Sequence, residues 1–424
     1  MATALVVGNM IGSGIFLLPA ALAPFGADNV PGWLLTAAGG ITLGLVFGAL
    51  SRQAPGAGGP YAYTRAAFGD LAAFTVAWGY WVSIWVGNAA IGTGAVGYAG
   101  EFFPWMVATP LNTALATLGF VWALTLVNCA GIRAAGWVQG VTTALKLLPL
   151  VAAIGLLASR ASSLGSVAAP HAPFTLGGTA SVATLALWAM LGLESATIPA
   201  DKVKGGAATV QRATIFGTVA TVILSAAGCA AVLLLVPAGP LAASNAPFAS
   251  LIGAAWGPAA ARAVSLFAAI SALGALNGWI LLQGELPRAM AADGLFLRAF
   301  GRTTALGTPV AGLMATSGLV TVLVLLNVHR TLVGVFTFFV LLSTTSALAA
   351  YLASSLALVR LRTRDGERSR RSGLALGILG CAGAAYSIGA LAGAGKEAVF
   401  CGAVLLLAGL PVYVGLRRGR PAGR

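Results

Sequence analysis

The sequence is short of charge, and above all of acid. Only 10 of its 424 residues are Asp or Glu, and all charged residues together make up 8%. A soluble domain carries roughly 25%, so a chain this poor in charge cannot cover a water-facing surface. Thiols and imidazoles are equally sparse. Four cysteines (Cys129, Cys229, Cys381, Cys401) are scattered through apolar stretches without CxxC spacing, which reads as small buried hydrophobes. Two histidines, His171 and His329, stand near loops and far from any acid partner. These shortages exclude a metal centre, a Ser-His-Asp centre or any enzyme built on paired acids. No cofactor is expected. Long polar linkers are missing too, so the chain has no room for separate soluble domains.

Hydrophobic residues are what the chain has, at 58%. Apolar windows of about 20 residues recur along nearly its whole length, the length a helix needs to cross about 30 Å of hydrocarbon. The fold expected is all-α: a polytopic membrane protein forming one transmembrane domain over 1–424. The spans are placed near 3–24, 33–53, 70–100, 111–130, 137–158, 179–199, 211–236, 258–286, 308–327, 331–359, 373–394 and 397–416. The first apolar stretch lacks a basic n-region and is followed by many more spans, unlike a removable signal peptide.

The formal net charge of +14 raises the question of nucleic acid, but the basic residues sit in short loops and at the C-terminus. That is topology information, and no nucleic-acid partner is expected. With both termini in the cytoplasm, the inner side collects Arg52, Arg65, Arg133, Lys202, Lys204, Arg212, Arg288, Arg298, Arg302, a cluster over 360–371 and the terminal arginines. The outer side keeps Arg160, Arg262, Arg330 and Lys396. The partner expected from this charge pattern is the lipid bilayer.

Four features could carry chemistry. The first is GNMIGSGIF at Gly8–Phe16, with three glycines in seven positions. A helix unwound here frees backbone N–H and C=O groups in mid-bilayer, which is tolerated only where they line a cavity or meet a ligand. The N-terminus of the second half would suit a carboxylate. Gly8-x-x-x-Gly12 also fits a helix-packing face, and spacing alone leaves both readings open. The second is WAMLGLESA at Trp188–Ala196, where Gly192 and Glu194 suggest another break; a lone intramembrane acid is costly and should face a cavity or a helix-break partner. The third is Lys146 in the fifth span, which could snorkel to an interface, be neutral, or donate to freed carbonyls in place of a bound cation. The fourth is the pair Trp188 and Trp279, inside long apolar segments rather than at their ends; an indole face can hold a cation or simply pack. Breaks in the first and sixth spans suggest inverted repeats over about 1–158 and 179–359, with the last two spans, about 373–416, outside them.

Taken together, GNMIGSGIFLLPA, APGAGGPYAYTRAAFG, GYWVSIWVGN, LWAMLGLESA, ALNGWILLQGE and AADGLF followed by GTPVAGL resemble the amino acid/polyamine/organocation transporters. Within these, the chain most resembles the bacterial arginine/agmatine antiporters and their lysine/cadaverine and ornithine/putrescine relatives. The resemblance runs in order over nearly the whole chain. It implies 12 transmembrane helices, 5+5 inverted repeats with helices 1 and 6 broken, a homodimer in the bacterial inner membrane, and alternating access. It implies that Ser13 and Gly14 receive a substrate carboxylate, and that Met10, Trp188 and Leu191 receive the α-amino group. Trp279 would stack on the cationic side chain, with Ser83, Ile84, Asn88 and Ser343 lining the side-chain end. Tyr80, Glu194 and Tyr351 fall where the family has its cytoplasmic gate, with Glu194 a pH-sensing candidate.

The function expected is exchange of arginine, or another basic amino acid, for agmatine or the matching polyamine. Some residues depart from that pattern. Ser83 and Ile84 replace a small residue and a cysteine of the arginine antiporters. Lys146 matches instead the lysine of other members that stands in for sodium and is tied to proton coupling, in the stretch VQGVTTALKL. The loop VKGGAATVQRA after the sixth span lacks the usual Asn-Pro. Met1 falls almost inside the first span, leaving open whether it is the true start. Lys146 and the Ser83 and Ile84 changes support a second reading, a proton-coupled or facilitated permease with neutral or broad amino-acid specificity.

Overall fold

The computed structural model describes residues 2–12, 14–53, 58–130, 135–160, 173–194, 197, 205–305, 307–362 and 370–418. Ser13, Arg133, His171, Lys202, Lys204 and most of the 360–371 basic cluster, all singled out above, lie outside these residues or have side chains outside them.

Among the described residues every regular element is a helix. The first apolar run forms α1 (Ala2–Met10) and α2 (Gly14–Leu22), followed by α3 (Asn29–Gln53), α4 (Pro60–Phe68), α5 (Asp70–Ala99), α6 (Pro110–Cys129) and α7 (Ala135–Ser159). The second half opens with α8 (Leu176–Leu187) and a 3₁₀ turn at Trp188–Met190, then α9 (Gly206–Leu235), the short α10 (Ala238–Ala242), α11 (Pro247–Trp256) and α12 (Pro258–Ala292). It closes with α13 (Val310–Leu326), α14 (Leu332–Leu361), α15 (Arg370–Gly393), α16 (Lys396–Leu407) and α17 (Gly409–Arg418).

Seven helical segments among the described residues are long and apolar enough to cross a membrane, and four shorter apolar helices accompany them. The segment α5 is not one of the seven, although every residue from Gly79 to Ala99 on it is buried. Its glycines, tryptophans and polar residues lower its apolar character because it faces other helices on all sides. It packs chiefly between α12 and α14. Burial all round marks a central helix. At the other extreme α16 buries only Ala398 and Gly402.

Two helices escape the apolar reading. The helix α4 is too polar to count as a span, yet its start and stop signals are in the sequence. Pro60 follows Gly58 and Gly59, and Gly69 ends the helix at φ 84°, a left-handed angle that a side chain would resist. Likewise α11 is set off from α12 by Gly257 at φ 86° and Pro258.

One unpredicted contact ties the two halves together. The carboxylate of Asp28, 3% exposed, accepts from the Thr175 backbone N–H at 2.8 Å and from the Thr175 and Thr179 hydroxyls at 3.0 Å each. This pins the end of the α1–α2 segment to the start of α8.

Candidate functional site

The first run does break at its glycines. In α1 the Gly8 carbonyl would ordinarily accept from the Gly12 N–H, but that N–H turns back to Met10 O at 2.9 Å. The freed Gly8 oxygen accepts from Lys146 Nζ at 2.6 Å. Lys146 is fully buried, so its ammonium meets the carbonyl end of a half-helix instead of snorkelling to an interface.

The second break follows α8. After the 3₁₀ turn, Leu191 is extended (φ −62°, ψ 134°) and Gly192 takes φ 100°, which favours glycine. The turn delivers Glu194, which is fully buried. One of its carboxylate oxygens accepts from the Tyr80 hydroxyl of α5, and the other from the Tyr351 hydroxyl of α14 at 2.8 Å. Two tyrosine hydroxyl hydrogen bonds offset part of the cost of burying an acid inside the membrane. Tyr351 also meets Phe47 edge-on, ring centroids 5.6 Å apart.

Both breaks open onto one cavity. Of the residues the sequence assigned to a substrate site, Met10, Gly14, Ser83, Ile84, Trp188, Leu191, Trp279 and Ser343 line it, as does the gate candidate Tyr80. Gly12, Ile15, Gly87, Ile91 and Ala189 complete the wall. No charged side chain is among these lining residues. A cation inside would be held by indole faces, hydroxyls and freed carbonyls.

Trp188 is seated by glycines. A Cβ on Gly14 would lie 1.7 Å from the indole Nε1, and one on Gly87 would lie 3.0 Å from its Cη2. The indole therefore bridges the start of α2 and the middle of α5, where only glycine leaves it room. Gly87 resembled its many glycine neighbours in sequence, and only the packing singles it out.

Ser83 and Ser343 pair across α5 and α14. The Ser343 hydroxyl donates to the Ser83 carbonyl at 2.7 Å, and the two Oγ atoms lie 3.1 Å apart. Asn88 behaves differently from the other site candidates. It is fully buried and absent from the cavity wall, and its Nδ2 donates to Gln283 Oε1 at 2.7 Å. Gln283 escaped notice in the sequence because it is one amide in an apolar helix; its position four residues after Trp279 was the available signal.

Comparison with known proteins agrees with this geometry. The amino acid permease family model matches residues 1–413. A putative arginine/ornithine antiporter of Bacillus subtilis (strain 168) is 33% identical, covering 97% of this chain and 95% of its own length. The putrescine transporter PotE of Escherichia coli (strain K12) is 30% identical over 97% of this chain and 94% of its own. A cadaverine/lysine antiporter of the same strain is 35% identical over 76% and 73%. Among solved structures, two variants of a manganese transporter of Eremococcus coleocola superpose with a TM-score of 0.57. They share 13% and 12% identity with this chain and cover 98% of it and 94% of their own chains, a likeness of fold alone. A multi-pass helical architecture, two broken helices around one cavity, and a match running through nearly every residue converge: the chain belongs to the amino acid permease family of membrane transporters.

Proposed function

We propose that this permease is a secondary-active antiporter, exchanging a basic amino acid, with arginine as the leading substrate, for agmatine or the matching polyamine by alternating access. The observation that carries the reading is the single cavity onto which both helix breaks open, walled by Trp188 and Trp279 and free of charged side chains among its lining residues. The names of the relatives point to the same substrate class: one pairs cadaverine with lysine, one pairs arginine with ornithine, and one carries putrescine.

In this reading Gly14, with Ser13, receives the carboxylate at the start of α2. Met10, Trp188 and Leu191 receive the α-amino group, and Trp279 stacks on the cationic end, a contact worth about 0.5–2 kcal/mol. Ser83, Ile84 and Ser343 form the side-chain end, with Asn88 behind them. The amine product lacks the carboxylate, so binding it falls to Trp279 and its neighbours. The Tyr80–Glu194–Tyr351 clamp gates the cytoplasmic side and senses pH through Glu194. The chain works as a homodimer of twelve-span protomers built on 5+5 repeats, in the bacterial inner membrane with both termini inside. No bond is made or broken; the substrate gradients drive exchange, and differential binding shifts the balance between the outward and inward states.

Counterflow tests the proposal. Efflux of labelled arginine from loaded liposomes should accelerate when agmatine is added outside, and equal rates with and without it would refute exchange. One observation favours the alternative of a proton-coupled permease: Lys146 occupies the freed Gly8 carbonyl, where a coupling cation could otherwise sit. A Lys146→Ala protein that keeps substrate binding but loses a proton dependence of uptake would support it.

A further inference from the structure

Hydrogen-bond direction around the side-chain end of the cavity follows from one fixed point. The carbonyl of Val121 can only accept, and it takes the Thr125 hydroxyl proton at 2.7 Å. Thr125 has one proton, so its contact with Ser317 Oγ, also 2.7 Å, must be donated by Ser317. With that proton committed, Ser317 accepts from Gln283 Nε2 at 2.8 Å. The amide of Gln283 is thereby oriented, with Nε2 toward α13 and Oε1 toward Asn88. Asn88 must then present its Nδ2, as it does at 2.7 Å. One atom is left over: Asn88 Oδ1, buried and without a partner among the described residues. Each side chain of this relay is fully buried. The Gln283 backbone is held as well, its carbonyl accepting from Trp81 Nε1 at 3.0 Å.

The serine pair obeys the same logic independently. Ser343 spends its proton on the Ser83 carbonyl, so the Ser83 hydroxyl donates to Ser343, and only lone pairs remain to offer the cavity. Asn88 lies on α5 between Ile84 and Ile91, four residues after one and three before the other, and both line the cavity. The Asn88 oxygen therefore belongs to the helix stripe behind the wall at the serine end.

We propose that Gln283 is a positioning residue that locks Asn88 with its carbonyl oxygen toward the side-chain subsite, so that this end offers only acceptors and selects substrates whose distal group only donates, an ammonium or a guanidinium. The inference rests on the basic-substrate reading above. A ureido or carboxamide end, which carries a carbonyl, would bring an acceptor against acceptors and leave buried groups unpaired. Sites built on buried polar groups discriminate strongly on that ground.

Arginine and citrulline make the test, since citrulline replaces the guanidinium with a ureido group of nearly the same shape. Inhibition constants for both are measured by competition against labelled arginine uptake into liposomes containing the purified protein. In the wild type arginine should compete better than citrulline. In Gln283→Leu, Asn88 can turn its amide over and the preference should fall about tenfold, the scale of one charge-assisted hydrogen bond. In Gln283→Glu it should persist, because a carboxyl group still offers Asn88 an acceptor in either protonation state. A role confined to packing would lower stability in both variants and leave the ratio alone. Should Gln283→Leu fold poorly, Ser317→Ala releases the Gln283 amide and should weaken the preference in the same direction. An unchanged ratio in Gln283→Leu, or in Ser317→Ala where that variant replaces it, overturns the relay and leaves the substrate reading standing. A wild type indifferent to arginine and citrulline overturns the substrate reading and the relay with it.

Discussion

The Tyr351 hydroxyl donates to Glu194 Oε2 at 2.8 Å while the Tyr80 hydroxyl holds the other oxygen, so one acid joins α5, α14 and the break after α8. Tyr80 also lines the cavity; Tyr351 does not. The two tyrosines should therefore separate on mutation. Tyr351→Phe removes one donor from a buried carboxylate, a loss of about 1.5–3 kcal/mol. A lower melting temperature and altered exchange are expected, with substrate affinity intact. Tyr80→Phe should disturb affinity too. Thermal unfolding in detergent and a binding isotherm on the same samples separate the cases, and a Tyr351→Phe protein that loses affinity at full stability would place Tyr351 in the binding site instead of the clamp.

Gly14 should tolerate no side chain. Its Cβ position lies 1.7 Å from Trp188 Nε1, well inside any contact distance, so Gly14→Ala must push the indole from its seat or move α2. Affinity should fall at least tenfold, about 1.4 kcal/mol, and tryptophan fluorescence should report the displaced ring. Gly87→Ala, 3.0 Å from the same ring, should act more weakly. Equal affinity in Gly14→Ala and wild type would show that Trp188 does not shape the site.

How much of this was readable in advance depends on the signal each residue left. The breaks at Gly12 and Gly192 were legible because a glycine beside an acid, or three glycines in a short apolar run, has few uses inside a membrane. Trp188 and Trp279 were legible from their position within spans. Spacing alone left the first break balanced between packing and binding; in the structure Gly14 lines the cavity and packs closely against Trp188. Asn88 was expected in the pocket wall but is turned to Gln283, because a partner on α12 is a tertiary fact with no local trace. Asp28 was missed for the same reason; its three donors lie at Thr175 and Thr179, far along the chain. Helices α4 and α11 were overlooked because apolar length was the guide, while their glycine and proline boundaries were in plain view.

Lys146 separates the two transport readings. Its Nζ is the donor to Gly8 O at 2.6 Å, a carbonyl that the helix break leaves without its usual partner. Lys146→Met keeps much of the side-chain volume, removes the donor and the charge, and should cost about 1–3 kcal/mol through the unpaired carbonyl. If Lys146 only braces the break, exchange should fall in step with thermal stability and keep its pH profile. If it couples protons, the pH dependence of uptake should flatten while equilibrium binding persists. Uptake measured with and without an imposed pH gradient, beside a melting curve, distinguishes these outcomes.

The Asp28 staple should matter for coupling more than for binding. It lies outside the cavity wall, yet it helps join the α1–α2 segment to α8, the two segments whose breaks open onto the cavity. Gly178 is shaped to it, since a Cβ there would sit 1.9 Å from Asp28 Oδ2. Asp28→Ala leaves the Thr175 N–H without its acceptor, and the loss of hydrogen bonds to a charged group implies a destabilisation of about 2–3 kcal/mol. Asp28→Asn keeps one acceptor for that N–H and should lie between Ala and wild type. Thr175 would still cap α8 through Gly178 N at 2.9 Å, so the helix itself should survive in both variants. The expected pattern is a graded fall in melting temperature and exchange rate with binding in detergent unchanged, because the loss falls on concerted movement of the two broken helices and not on the groups that touch substrate. An Asp28→Ala protein with wild-type melting and exchange would show that the two segments move together without it.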